Sequence, residues 1–141
     1  MKHFSVLFFL SFCLLSHAGE PWKLNLIDRS ENIVLNIDLQ KESIEVPGME
    51  MFGPMHGYLG GNVYGVWTVT SFRINKGKAI LRLSNDLGSE TQEAELSQTS
   101  DSTYSLKLVG AVVVKRAVGN RLHKITPTLK MVRQANCPAI P

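Results

Sequence analysis

The sequence predicts an all-β fold, a small antiparallel barrel or sandwich of about eight strands, on three observations. Apolar residues recur with a period of two along most of the chain, and no segment sustains a helical period. Gly, Asn, Asp, Ser and Pro separate the alternating runs at regular spacing. So many short runs in 141 residues favour a closed or double-layered sheet, because closure removes exposed strand edges.

Each element has its own justification. Trp22, Leu24 and Leu26 alternate with Lys23 and Asn25, and Ile33, Leu35, Ile37 and Leu39 alternate with Val34, Asn36 and Asp38, so two strands meet around Asp28-Arg29-Ser30. Ile44 and Val46 form a short third strand ended by Pro47-Gly48, since proline donates nothing to a ladder. From Pro47 to Gly61 the alternation stops, and the segment holds two prolines, five glycines and three methionines, which predicts one long loop. Asn62 to Ile74 resumes extended structure. Val63, Gly65, Trp67, Val69 and Ser71 fall on one face and Tyr64, Val66, Thr68, Thr70 and Phe72 on the other, so part of this strand is expected to be covered on both sides.

Asn75-Lys76-Gly77 is a turn signal, and Ala79, Leu81 and Leu83 then face inward to complete a hairpin. Thr91–Leu96, Thr103–Val109, Ala111–Val118 and Leu129–Arg133 follow as further strands. Glu90, Glu93 and Glu95 also give residues 89–97 a competing helix propensity. The run Val109 to Val114 is too short to span a membrane and reads as a central buried strand.

Residues 1–18 read as a cleavable signal peptide: Lys2 and His3, an apolar run from Phe4 to Leu15, then small Ser16 and Ala18 before Gly19. An uncleaved anchor is the alternative, but such a run rises only about 18 Å as a helix against a hydrocarbon core of about 30 Å. Leu10-Ser11-Phe12-Cys13 is a poor lipobox, with bulky Phe12 before the cysteine. The expected organisation is therefore a signal peptide (1–18), one β-rich domain (19–134) and a tail (135–141), in a periplasmic or secreted protein. Cleavage removes Cys13 and leaves Cys137, in the tail, as the single cysteine, so no internal disulfide supports the fold. The remaining sequence lacks an Asn-x-Ser/Thr sequon, which favours a bacterial periplasm.

Charge is unevenly placed. Residues 19–100 carry 7 Lys/Arg against 11 Asp/Glu, whereas residues 101–141 carry 7 Lys/Arg against Asp101 alone. Two readings follow for this basic third: solvated strand faces balanced by the acidic first half, or a face for an anionic surface such as lipid head groups or an acidic partner. Nucleic acid is not expected, because Tyr104 is the only aromatic residue interleaved with these basic side chains.

The loop 47–61 is the candidate site. Met49, Met51, Phe52, Met55 and Tyr58, with Trp67 nearby in sequence, offer an apolar contact surface for a protein or a small apolar ligand, and methionine suits such adaptable surfaces. The same methionines also serve as plain packing. As an alternative, Met49, Met51, Met55 and His56 are a soft ligand set for Cu(I) or Ag(I), with Trp67 or Tyr58 as a cation-π shield. The glycines of Gly57-Tyr58-Leu59-Gly60-Gly61 fit either close approach to a ligand or a chain reversal. No Gly-x-Ser-x-Gly, His-Glu-x-x-His or Cys-x-x-Cys occurs, and Glu93 with Glu95 reads as the solvated face opposite Ala94 and Leu96, so a non-enzymatic protein is expected.

Gly65-Val66-Trp67 resembles the Gly-x-Trp of lipocalin barrels, and Arg133 is similar to the arginine that packs on that tryptophan. The resemblance implies a small barrel with an apolar cavity. It differs in placement, since that motif opens a lipocalin barrel and here about three strands precede it.

Overall fold

In the computed structural model, which describes residues 22–86 and 90–134, period-two alternation is converted into ten strands. Eight of them close on themselves: β1 (Lys23–Asp28), β2 (Ile33–Asp38), β3 (Gly57–Gly61), β4 (Trp67–Asn75), β5 (Lys78–Asn85), β6 (Thr91–Gln98), β7 (Thr103–Val109) and β10 (Thr128–Arg133), with β10 returning to β1. All neighbours run antiparallel, so the sheet is an up-and-down barrel and the sandwich alternative is set aside. β8 (Lys115–Val118) and β9 (Arg121–Lys124) form a separate two-stranded hairpin between β7 and β10.

An up-and-down meander sends successive connections to alternate ends. Residues 29–32, 62–66, 86, 90 and 110–127 therefore gather at one end, called the mouth, and residues 39–56, 76–77 and 99–102 at the other, the base. The segments expected as signal peptide and tail, with Cys137, lie outside the described residues.

Inside the barrel, alternate residues of every strand meet. Leu26, Leu35, Leu59, Trp67, Leu83, Leu96, Leu106 and Leu129 are all fully buried, so the interior is filled with side chains instead of enclosing the lipocalin-style cavity expected above. Gln92 is a buried polar residue at the mouth. Its Nε2 donates to the carbonyls of Val109 (3.1 Å) and Glu93 (3.0 Å), and its Oε1 accepts from the Val113 N–H (2.9 Å), which ties the chain leaving β7 down onto β6.

Several expectations are corrected. β3 lies within the expected loop, and Ile44 contributes only an isolated bridge to Met55 instead of a third strand. The chain is irregular from Asn62 to Val66, and β4 is covered on both sides only at its start, where Trp67, Thr68 and Val69 are all buried; a bulge between Val69 and Ser71 then shifts the register, so that Val69 opposes Leu83 and Phe72 opposes Leu81. Trp67, Val69 and Phe72 thus face one interior, so the bulge takes Phe72 off the face of Thr68 and puts it on that of Trp67. The segment 89–97 is strand β6 over its described length from Thr91 onward, not a helix. Of the run Val109–Val114, expected as a central buried strand, only Val114 is buried; the expected strand Ala111–Val118 pairs only from Lys115, and its partner β9 has no counterpart in the expected set.

Glu93 and Glu95 do lie on the outer face opposite buried Ala94 and Leu96, paired with Arg73 (3.7 Å) and Lys78 (2.9 Å). The Lys78 ammonium, by hydrogen bond and by charge, holds the Glu95 carboxyl below its ordinary range. Two-residue turns close the hairpins. Lys76 and Gly77 both have positive φ, the type I′ geometry that follows the strand twist, and Gly119 (φ +61°) with Asn120 closes β8–β9.

Candidate functional site

The residues expected to form one site are divided between the two ends of the barrel. Trp67 begins β4 at the mouth, while Met49, Met51, Phe52, Met55 and His56 precede β3 at the base. Tyr58 lies between, half-buried on the outer wall, its ring beside Gly60, where an added Cβ would approach to 3.1 Å.

At the base the chain makes a short 3-10 turn, Glu50–Phe52. Several bonds hold it: Met49 N–H to Val46 O (2.9 Å), Phe52 N–H to Met49 O (3.0 Å), Gly53 N–H to Glu50 O (3.0 Å), and the Ile44–Met55 bridge behind. The Glu50 carboxylate accepts from Gly48 N–H at 3.1 Å. Met51 and Phe52 project from this turn, 87% and 66% exposed, as an apolar knuckle, whereas Met49 and Met55 are half-buried. His56 is engaged by the protein: Nδ1 lies 3.1 Å from the Asp38 carbonyl, Nε2 lies 3.7 Å from Glu42, and the ring stands edge-on to Phe72 with centroids 5.0 Å apart.

The mouth holds a cavity of about 140 Å³, lined by Tyr64, Trp67, Asn85, Glu90, Val113, Lys115 and Leu122. Its position follows from register, because Trp67 and Asn85 are direct cross-strand partners of β4 and β5 and point the same way. The walls come from the connections that converge there. Val66 N–H donates to Asp86 Oδ1 (2.8 Å), Asp86 N–H returns to Val66 O (3.1 Å), and Asn85 N–H bonds Glu90 O (3.1 Å), fixing two walls against each other. Tyr64 N–H donates to Lys115 O at 2.6 Å, which ties the third wall, the base of the β8–β9 hairpin, to the first.

Trp67 is completely buried, and its indole N–H is a donor with no partner among the described residues. A buried donor left unpaired costs about 1–3 kcal/mol, a penalty already present in the free protein that an acceptor reaching the donor offsets. Glu90 and Lys115 bring opposite charges to the same cavity, and Tyr64 and Leu122, 48% and 45% exposed, give it an apolar rim.

The lipocalin parallel fails at its second residue. Arg133 donates to Tyr104 Oη (2.7 Å) and lies over that ring at 5.8 Å, on the far side of the barrel from Trp67, because β10 and β4 are not neighbours. Among the described residues no three His, Cys, Asp or Glu side chains are grouped to hold a metal ion, and no helix is long and apolar enough to cross a membrane. Comparison of the chain with protein-family models, curated proteins and solved structures finds no match. What the described residues define is a closed eight-stranded antiparallel barrel, and the functional reading rests on its two ends.

Proposed function

We propose that this protein is an exported, non-enzymatic binding module, periplasmic or secreted, that holds a small and partly apolar ligand at the mouth of its barrel. The observation that carries the reading is Trp67, whose indole N–H is buried and without a partner among the described residues and whose side chain lines a cavity that also presents Tyr64, Leu122, Glu90 and Lys115. Sites of this kind combine apolar walls with few polar groups, and a volume of about 140 Å³ lies below the roughly 300–1,000 Å³ of drug-sized sites, so the ligand is small. A flat ring carrying a carbonyl matches the walls and the donor. The basic start, apolar run and small residues before Gly19 support export.

Benzamide is a suitable probe, followed by NMR on isotope-labelled protein. The expected result is a saturable shift of the Trp67 indole N–H signal, assigned by its loss in Trp67→Phe, with affinity about fivefold weaker in that variant. If the signal stays in place up to the solubility limit of benzamide and of related ring carboxamides, the mouth is not a ligand site.

A second reading, that the Met51–Phe52 knuckle contacts a protein, is favoured by the exposure of two large apolar side chains on a turn fixed by backbone bonds. Preorganised apolar anchors are what interface centres use. A photoreactive residue replacing Phe52 in an exporting host is expected to give one discrete adduct that Met51→Ser abolishes, whereas the same label at Val109 gives none. Equal labelling from both positions would count against this contact.

A further inference from the structure

The β8–β9 hairpin is built as a prong. Val114 and Ile125 anchor its two legs in the core, with Ile125 N–H bonded to Val114 O at 3.1 Å, and Arg116 is clamped to Glu31 at 2.6 Å. Beyond these anchors every residue from Ala117 to Lys124 is exposed. The barrel thus fixes the base of the hairpin and leaves its outer part without a packing partner among the described residues.

The composition of that outer part is specific. No acidic residue occurs after Asp101, and the hairpin carries Lys115, Arg116, Arg121 and Lys124 along with His123. Cross-strand register places Lys115 opposite Lys124 and Arg116 opposite His123. Like charges facing each other weaken a hairpin, and only Arg116 is offset by an ion pair among the described residues; Arg121 and Lys124 have none. Val118, 52% exposed, sits beside the turn directly opposite Arg121, and Leu122 is exposed one residue further on. The outer hairpin therefore joins an apolar tip to a collar of unbalanced positive charge. A soluble polyanion has use only for the collar.

We propose that the β8–β9 hairpin docks on an anionic lipid bilayer, with Val118 entering the interface and Arg121 and Lys124 meeting the head groups. Anionic lipid supplies the missing counter-charge, and the acyl boundary covers the apolar tip. The mouth cavity lies beside this contact, since Lys115 and Leu122 of the same hairpin line it.

Vesicles of two parts phosphatidylcholine to one part phosphatidylglycerol, against pure phosphatidylcholine, test the proposal by co-sedimentation of the purified protein. The protein is expected to bind the mixed vesicles, weakly at high salt, with each hairpin charge removed lowering partitioning about fivefold. The double reversal Arg121→Glu/Lys124→Glu should abolish binding. The matched reversal Lys107→Glu/Lys130→Glu on the barrel wall should retain most of it. A Val118→Trp variant is expected to show blue-shifted emission on the mixed vesicles, a readout independent of the charge variants. Equal binding to both vesicle types overturns the proposal, as does an unaffected hairpin reversal. Competition by heparin combined with unchanged binding by Val118→Ser would assign the prong to a soluble polyanion and equally overturn the lipid assignment.

Discussion

Replacing Gly57 with alanine is expected to destabilise the barrel by about 3–5 kcal/mol, more than any other single methyl insertion in the base connection. Gly57 starts β3 opposite Ile37 of β2 with φ +151°, and a Cβ there would lie 2.3 Å from the Asn36 carbonyl oxygen and 2.8 Å from the Ile37 Cα. Both obstacles are backbone, so no side-chain rotation relieves them; β2 and β3 would have to separate. Gly53 supplies the control. It also has positive φ, +77°, but nothing lies within 4 Å of its added Cβ. Gly53→Ala should therefore cost only its backbone conformation, φ +77° with ψ 179°, a region nearly confined to glycine, about 1–3 kcal/mol. Urea denaturation of the two variants separates clash from conformational strain. Equal losses would show that β3 can shift away from β2.

The same glycines explain why β3 escapes a reading of the sequence. A strand is legible when alternate side chains differ in polarity, and Gly57, Gly60 and Gly61 have none to differ. The density of glycine that suggested a ligand loop serves close backbone packing of β3 on β2: Gly61, too, would place a Cβ 2.5 Å from the Asn32 carbonyl. β4 misleads for another reason. Its bulge moves Phe72 onto the face of Trp67 and Val69, and nothing in residue type marks where a register changes. By contrast β5, β6 and β7 alternate cleanly because one side of each meets the core and the other meets water, as Ala79-Ile80-Leu81-Arg82-Leu83 shows.

The hairpin β8–β9 was half legible. Gly119-Asn120 marks a turn, but β9 covers no core and so carries no alternation of burial. Among the cavity residues only Trp67 stood out, since the others are ordinary residues on connections spread from Tyr64 to Leu122. The alternation of an up-and-down meander was the unused signal. Counted that way, the connections before Trp67, after Asn85 and after Val109 must all reach one end. The methionine-rich segment was conspicuous by composition, yet composition does not say which end a segment occupies.

Asp28→Ala is expected to cost about 3 kcal/mol and to lower the melting temperature by roughly 10 °C, because this carboxylate helps close the barrel. Among the described residues the seam between β1 and β10 has two direct register pairs, Leu26 with Arg133 and Ile27 with Val132. Asp28 extends it: Oδ2 accepts from Lys130 N–H (3.1 Å), while Oδ1 accepts from Ser30 Oγ (2.7 Å), Ser30 N–H (3.0 Å) and Glu31 N–H (3.1 Å). Burial opposes its ionisation, but these hydrogen bonds outweigh that and hold the carboxyl below its ordinary value. Asp38 ends β2 in the same manner. Burial again opposes the charge, and Ser43 Oγ (2.6 Å), with Lys41 and Gln40 N–H, outweighs it, assisted by the charge of Lys23. A carboxyl with a lowered folded pKa contributes stability that is complete above its unfolded value, about 3.9, and lost as pH falls through the folded one. Stability should therefore fall below about pH 4, and less steeply in Asp28→Asn, which has no proton to take up. Thermal melts of wild type, Asp28→Asn and Asp28→Ala between neutral and acid pH measure this, and parallel curves for wild type and Asp28→Asn would remove the carboxylate from the account of acid sensitivity.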